Sequence, residues 1–134
     1  MGTMVTVRSV GGMKVEATAG GSAVTVMDLP ADEGGPGTAL GATETLLAAL
    51  GGCTAMTLLL YAKRKGWPLE GVDADLSLER PPQSAADPTQ RLRATIRLRG
   101  ALDAEQRQRL LEIAGKCPVH KTLDGPLVIE ETLG

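Results

Sequence analysis

Apolar and polar residues alternate along two separate parts of the chain, and this alternation predicts β-strands. Near the start, residues 4–9, 13–19 and 23–27 are short β-branched runs separated by the pairs Gly11-Gly12 and Gly20-Gly21. Gly-Gly turns between such runs predict an antiparallel meander. Residues 72–79 and 91–99 also alternate with a period of two, which predicts a hairpin connected by residues 81–89. The polar face of its first strand is mainly acidic and that of its second is arginine-rich, so we expect cross-strand ion pairs.

The helical signals lie between and after these strands. Residues 46–62 carry no charge and predict a buried helix that begins near residues 42–44 and ends at residues 65–66. This run has 17 residues, fewer than the about 20 that a membrane span needs, and no membrane role is expected. Asp103 and Gln106 predict a capping box for a helix reaching about Ala114, and Pro118 predicts the first turn of a short helix.

Residues 127–129 are apolar and predict a closing strand. The expected order βββ-α-ββ-α-β, without βαβ alternation, indicates an α+β fold with antiparallel sheets around a buried central helix. A length of 134 residues predicts one domain over residues 1–134.

Composition and charge narrow the possible functions. The 14 basic and 16 acidic residues give a formal charge of −2, which provides no long-range attraction to nucleic acid or to an anionic membrane. Two cysteines are too few for a disulfide scaffold, and no signal peptide precedes the first strand. The expected location is therefore the cytoplasm, where thiols stay reduced.

The two cysteines carry the candidate chemistry. Cys53 lies inside the long apolar helix, and Cys117 directly precedes Pro118. As an N-cap, Cys117 would place its sulfur at the positive end of a helix dipole, where one thiol of a redox pair could be activated. Two free cysteines that fill core space explain the same pattern equally well. His120, three residues after Cys117, is interpreted as a structural residue or as a proton-transfer group. The single histidine leaves too few ligands for a zinc site, and no metal or cofactor is expected.

Two segments resemble a known family. Residues 44–57 (ETLLAALGGCTAMT) and residues 116–123 (KCPVHKTL) are similar to motifs of the OsmC/Ohr family of thiol-dependent hydroperoxide reductases. The resemblance is closest to the OsmC-like branch, and the order of elements agrees over essentially the whole chain.

This resemblance implies an intertwined homodimer, with the peroxidatic thiol at Cys53 and the resolving thiol at Cys117. Family enzymes reduce organic hydroperoxides through a sulfenate and a disulfide, and dithiols such as lipoyl groups recycle them. The apolar helix face around Leu50, Met56 and Leu60 would favour alkyl hydroperoxides over hydrogen peroxide.

Two further site residues, Glu44 and Arg8, come from the same resemblance. Family members carry a glutamate ten residues before the peroxidatic cysteine, where this chain has Thr43, and an arginine near the N-terminus. Glu44 lies nine residues before Cys53, about 180° around a straight helix, so it would act across the dimer interface or cap the helix. Arg8 is the one arginine before residue 64. The shifted glutamate motivates an alternative function, a non-catalytic dimer that binds a small thiol or acyl ligand in its interface pocket.

Overall fold

The computed structural model describes residues 2–134 and divides the chain into two compact units, one up to Leu46 and one from Leu47 onward. The elements follow the order βββ-α-ββ-α-α, with a short 3-10 turn at Ala31–Glu33. Their bounds are β1 Thr6–Gly11, β2 Lys14–Ala19, β3 Ala23–Met27, α1 Ala42–Lys65, β4 Gly71–Glu79, β5 Arg91–Arg99, α2 Ala104–Ala114 and α3 Pro118–Asp124. This confirms the α+β class with antiparallel sheets.

The first unit contains the predicted meander. Strands β1, β2 and β3 pair antiparallel in sequence order, and the glycines of both turns have positive φ angles. After β3, the carboxylate of Asp28 accepts hydrogen bonds from the Thr38 hydroxyl at 2.6 Å and from the Thr38 N–H at 3.1 Å. These bonds close the base of the loop that leads to α1.

Helix α1 buries one side. Its buried residues follow a spacing of four along the helix and are Leu50, Thr54, Leu58 and Ala62. Met56 and Leu60 are exposed in the single chain, so burial is narrower than the sequence predicts. Helix α1 is long and apolar enough to cross a membrane, but the core helix of a water-soluble protein can have the same length and composition.

The core of the second unit lies where α1 and α2 meet the apolar face of the β4–β5 hairpin. It is formed by Leu58, Leu110, Ile113 and Ala114, and Ile96 and Leu98 of β5 pack against it. A Cβ atom added to Gly51 would lie 2.7 Å from Leu76 Cδ1, so the helix glycine makes room for a β4 side chain.

The polar face of the hairpin is neutralised as predicted. Arg97 contacts Asp75 at 2.6 Å, and similar ion pairs at 2.9 Å join Arg93 to Glu79 and Arg99 to Asp73. All six side chains are exposed, so solvent screens these ion pairs and each contributes little to stability.

The predicted strand at residues 127–129 is wrong. The structure has no strand after α3 in the described chain, and Val128 is 80% exposed. A strand needs a neighbouring strand to receive its backbone hydrogen bonds, and an apolar run alone does not provide one. The order of elements therefore ends in α3.

Candidate active site: a pair of cysteines in the second unit

Cys117 lies at the junction between α2 and α3 and is completely buried. Helix α2 ends before Gly115, and Cys117 then has an extended backbone with φ −66° and ψ 141° as the N-cap of α3. Pro118 follows at the first helical position, where its missing N–H costs nothing. The Cys117 sulfur accepts a hydrogen bond from the His120 N–H at 3.3 Å, and the side chain is 0% exposed. The predicted N-cap position of Cys117 is thus confirmed.

Cys53 and Thr54 reach this sulfur from α1. Thr54 belongs to the buried stripe of the helix, with 5% exposure, and its hydroxyl oxygen lies 4.0 Å from the Cys117 sulfur. Cys53 precedes it by one residue, about 100° around the helix, and is half-buried. Helix periodicity therefore sets one of these neighbouring side chains inside and leaves the other partly accessible.

The environment of Cys117 favours its protonated form. Burial is the main cause that raises the pKa of the Cys117 thiol, because a thiolate loses its hydration there. The His120 N–H acts in the opposite direction, and a hydrogen bond and charge from Cys53 raise the Cys117 pKa further. The two sulfurs are thus close enough for the charge of one to disfavour ionisation of the other. Both cysteines are free thiols.

An apolar stripe runs along α1 beside Cys53. Met56 and Leu60 follow Cys53 by three and seven residues, so the three side chains share one side of the helix. Both apolar residues are exposed in the single chain, whereas Leu50 is part of the buried stripe. Of the three residues predicted to form an apolar substrate face, two therefore lie beside the accessible cysteine.

The first unit contains the other two predicted site residues. Glu44 accepts a hydrogen bond from the Gly41 N–H at 2.8 Å, the bond of an N-terminal helix cap. Arg8 lies on β1, is exposed and stands opposite Glu16 in the strand register. Their catalytic roles remain predictions.

His120 contacts the Cys117 sulfur through its backbone. The imidazole Nε2 lies 3.8 Å from an Asp124 carboxylate oxygen one turn along α3.

Thr54 is the site residue that the sequence interpretation missed, and its signal was a polar side chain on the buried face of an apolar helix. Within residues 2–134, no group of three or more His, Cys, Asp or Glu residues could hold a metal ion.

Comparison with known proteins matches the part of the chain that contains both cysteines to one protein family. A family model described as OsmC-like protein matches residues 35–132, which include Glu44, Cys53 and Cys117. Among curated proteins, no sequence matches the chain.

Solved structures of several bacterial proteins share the fold. The OsmC-like protein of Mycoplasma pneumoniae superposes with a TM-score of 0.78 at 17% identity, covering 93% of this chain and 89% of that protein. A Psychrobacter arcticus protein, provisionally assigned to the osmotic stress and detoxification response, gives 0.73 at 26% identity, covering 90% and 87%. The organic hydroperoxide resistance protein OhrB of Bacillus subtilis gives 0.59 at 23% identity, covering 90% and 89%.

Proposed function

Because the chain belongs to the OsmC-like family, we propose that it is a thiol-dependent peroxidase that reduces organic hydroperoxides to alcohols through Cys53 and Cys117. One observation carries the proposal: a half-buried cysteine and a fully buried one lie within electrostatic reach of each other in one compact unit. Two unrelated core cysteines would not require this asymmetry.

The first proposed step is oxidation of Cys53. Its thiolate attacks the peroxide oxygen distal to the organic group, the O–O bond breaks, and the alkoxide leaves with a proton from solvent as the alcohol. Cys53 becomes a sulfenic acid. The raised pKa of Cys117 supports this order, since a buried thiol that keeps its proton is the poorer first nucleophile.

The second proposed step is closure of the disulfide. The Cys117 sulfur loses its proton and attacks the Cys53 sulfur, an S–S bond forms, and the sulfenate oxygen leaves as water. A dithiol such as a lipoyl group then returns both cysteines to thiols, in keeping with a cytoplasmic location. The exposed apolar residues Met56 and Leu60 support a preference for alkyl hydroperoxides over hydrogen peroxide.

The test is oxidation of the purified, reduced protein by cumene hydroperoxide, with hydrogen peroxide in parallel. We expect rapid loss of both thiols and about 2 Da from the intact mass, as two hydrogens leave. Cys117→Ser should instead gain about 16 Da and react with a sulfenate-specific dimedone probe. Survival of both thiols in excess hydroperoxide, or unchanged turnover in Cys53→Ser, would refute the peroxidase.

The second candidate function is ligand binding without turnover, in an interface pocket that takes a small thiol or acyl compound. It is favoured by Thr43 in the place of the family glutamate and by the Glu44 carboxylate already bound to the Gly41 N–H. A ligand that co-purifies with a protein inert to hydroperoxides would support it.

Glu44 and Arg8 remain proposed catalytic residues, and matched variants separate catalysis from capping. Glu44→Gln keeps an oxygen that can accept the Gly41 N–H but removes the charge, whereas Glu44→Ala removes both. A catalytic carboxylate predicts lost peroxidase activity in both variants, and a cap alone predicts lost stability in Glu44→Ala only. Arg8→Lys, which keeps the charge, is the control for Arg8→Ala.

A homodimer is also part of the proposal. Every residue of β1 is exposed in the single chain, and a lone three-stranded sheet seldom leaves its apolar side chains uncovered. Light scattering after size exclusion should give twice the 13.9 kDa mass of one chain. A monomer at micromolar concentration would contradict this part of the proposal.

A further inference from the structure

The different burial of the two cysteines has a consequence for how the oxidised protein is recycled. We propose that a thiol reductant breaks the Cys53–Cys117 disulfide at Cys53, so that Cys117 is the leaving group and Thr54 is its positioning residue. The inference rests on the proposed function, which supplies the disulfide.

Access to the two sulfurs is the first reason. Thiol–disulfide exchange requires the attacking sulfur to approach in line with the S–S bond, from the side opposite the leaving sulfur. Attack on Cys117 would bring the reductant through the packed junction of α2 and α3, where this side chain is 0% exposed. Attack on Cys53 uses the partly accessible side of α1.

The second reason is the set of donors around Cys117. When the disulfide opens at Cys53, the negative charge appears on the Cys117 sulfur. Burial is the main cause that raises the Cys117 pKa, but the His120 N–H at 3.3 Å and the Thr54 hydroxyl at 4.0 Å from this sulfur act in the opposite direction and stabilise its thiolate. A more stable leaving thiolate departs faster.

Loss of the Cys53 charge in the mixed disulfide also favours the Cys117 thiolate. In the reduced protein, the Cys53 sulfur is one of the causes that raise the Cys117 pKa. In the mixed disulfide, Cys53 is bonded to the reductant and carries no charge, so this cause is gone. The two donors then oppose burial alone.

The exchange balances in two steps. The first reductant thiolate attacks the Cys53 sulfur, the Cys53–Cys117 bond breaks, and Cys117 leaves as a thiolate that is later protonated. The second thiol of the reductant, as its thiolate, attacks the reductant sulfur bonded to Cys53. That bond breaks, a cyclic disulfide of the reductant leaves, and Cys53 is released as a thiolate.

The attacked sulfur can be identified with a monothiol, which cannot complete the second step. The disulfide is formed with one equivalent of cumene hydroperoxide or, independently of peroxidase activity, with diamide. A short exposure to 2-mercaptoethanol is stopped with acid, and free thiols are blocked with N-ethylmaleimide in denaturant. Peptide mass mapping should find mercaptoethanol on Cys53 and maleimide on Cys117 at the earliest times.

The outcomes separate this inference from the proposed function. Mercaptoethanol on Cys117, or divided equally between the two sulfurs, would overturn the inference even where hydroperoxide forms the disulfide. If only diamide forms the disulfide and the adduct is on Cys53, the proposed peroxidase activity is refuted and the proposed attack at Cys53 is supported.

Thr54 is tested with a conservative pair of variants. Thr54→Val removes the hydroxyl with little change of shape and should slow reduction of the disulfide about fivefold, as loss of one modest hydrogen bond does. Thr54→Ser should restore the rate. In a Cys53→Ala background, Thr54→Val should also raise the Cys117 pKa, measured by ultraviolet absorbance of the thiolate, and Thr54→Ser should not. An unchanged pKa would overturn the role of Thr54, because the hydroxyl would then not stabilise the Cys117 thiolate.

Discussion

Replacing Cys117 separates its structural contribution from its redox chemistry. The side chain caps α3 through the hydrogen bond from the His120 N–H, and it is fully buried. Cys117→Ser keeps an acceptor of similar size, and serine is among the preferred N-cap residues. Cys117→Ala removes the acceptor, which costs about 1 kcal/mol for the lost cap, and the buried sulfur, which costs about 1 kcal/mol more.

These terms predict a difference that thermal unfolding can resolve. A destabilisation of about 2 kcal/mol in a chain of this length should lower the Tm of Cys117→Ala by roughly 8 °C, at about 4 °C per kcal/mol. Cys117→Ser should unfold within about 2 °C of the wild type. Circular dichroism of the reduced proteins gives the Tm, and intact mass after hydroperoxide shows that neither variant forms the disulfide. If Cys117→Ser were as unstable as Cys117→Ala, the cap would not be what Cys117 contributes to stability.

Three further predictions concern the framework around the site. Leu110 is 0% exposed and its neighbour Leu111 is 58% exposed. Leu110→Ala should therefore lower the free energy of unfolding in denaturant by about 3 kcal/mol, and Leu111→Ala by less than about 1 kcal/mol. Equal losses would contradict the packing of α2. Gly51→Val should lower the Tm because the valine side chain would overlap Leu76. Gly51→Ala should change the Tm little, since the better helix propensity of alanine offsets the 2.7 Å contact with Leu76. A higher Tm in Gly51→Val would contradict this packing. The Thr38 hydroxyl and N–H lower the pKa of Asp28 below its usual 3.8. This carboxylate therefore stabilises the fold above that pH, and the stabilisation is lost as the pH falls through the folded pKa. Asp28→Asn should therefore unfold at a lower temperature than wild type at about pH 7, and the difference should shrink as the pH falls below 3.8 and through the folded pKa. A difference that stays constant with pH would refute the assignment.

Local signals predicted most of the fold. Period-two alternation placed β4 and β5, and paired Asp103 and Gln106 placed the start of α2, because each signal depends only on residues close in sequence. The resemblance to the OsmC/Ohr family is confirmed by the family match. The closing strand failed because strand formation at residues 127–129 depends on a neighbour that no local pattern specifies.

The site was predictable in part for the same reason. The Cys-Pro pair predicted that Cys117 caps a helix, which is a local property, and the structure confirms it. Thr54 was missed because its importance comes from a contact 63 positions along the chain. Glu44 could be assigned to the helix cap or to catalysis from its spacing, and its hydrogen bond to Gly41 shows only the first of these functions.

The different roles proposed for the two cysteines follow from where the chain places them. One residue of rotation along α1 separates Cys53, on the border of the exposed side, from Thr54, on the buried side. Cys117 comes from a helix cap that is held in place by the end of α2, so its sulfur stays buried while it accepts hydrogen bonds from two elements. A hydroperoxide and a thiol would then meet the same accessible sulfur in the two halves of the proposed cycle. In this proposed cycle, the buried Cys117 sulfur would form the disulfide and later depart from it as the leaving group, so neither hydroperoxide nor reductant would need to enter the core.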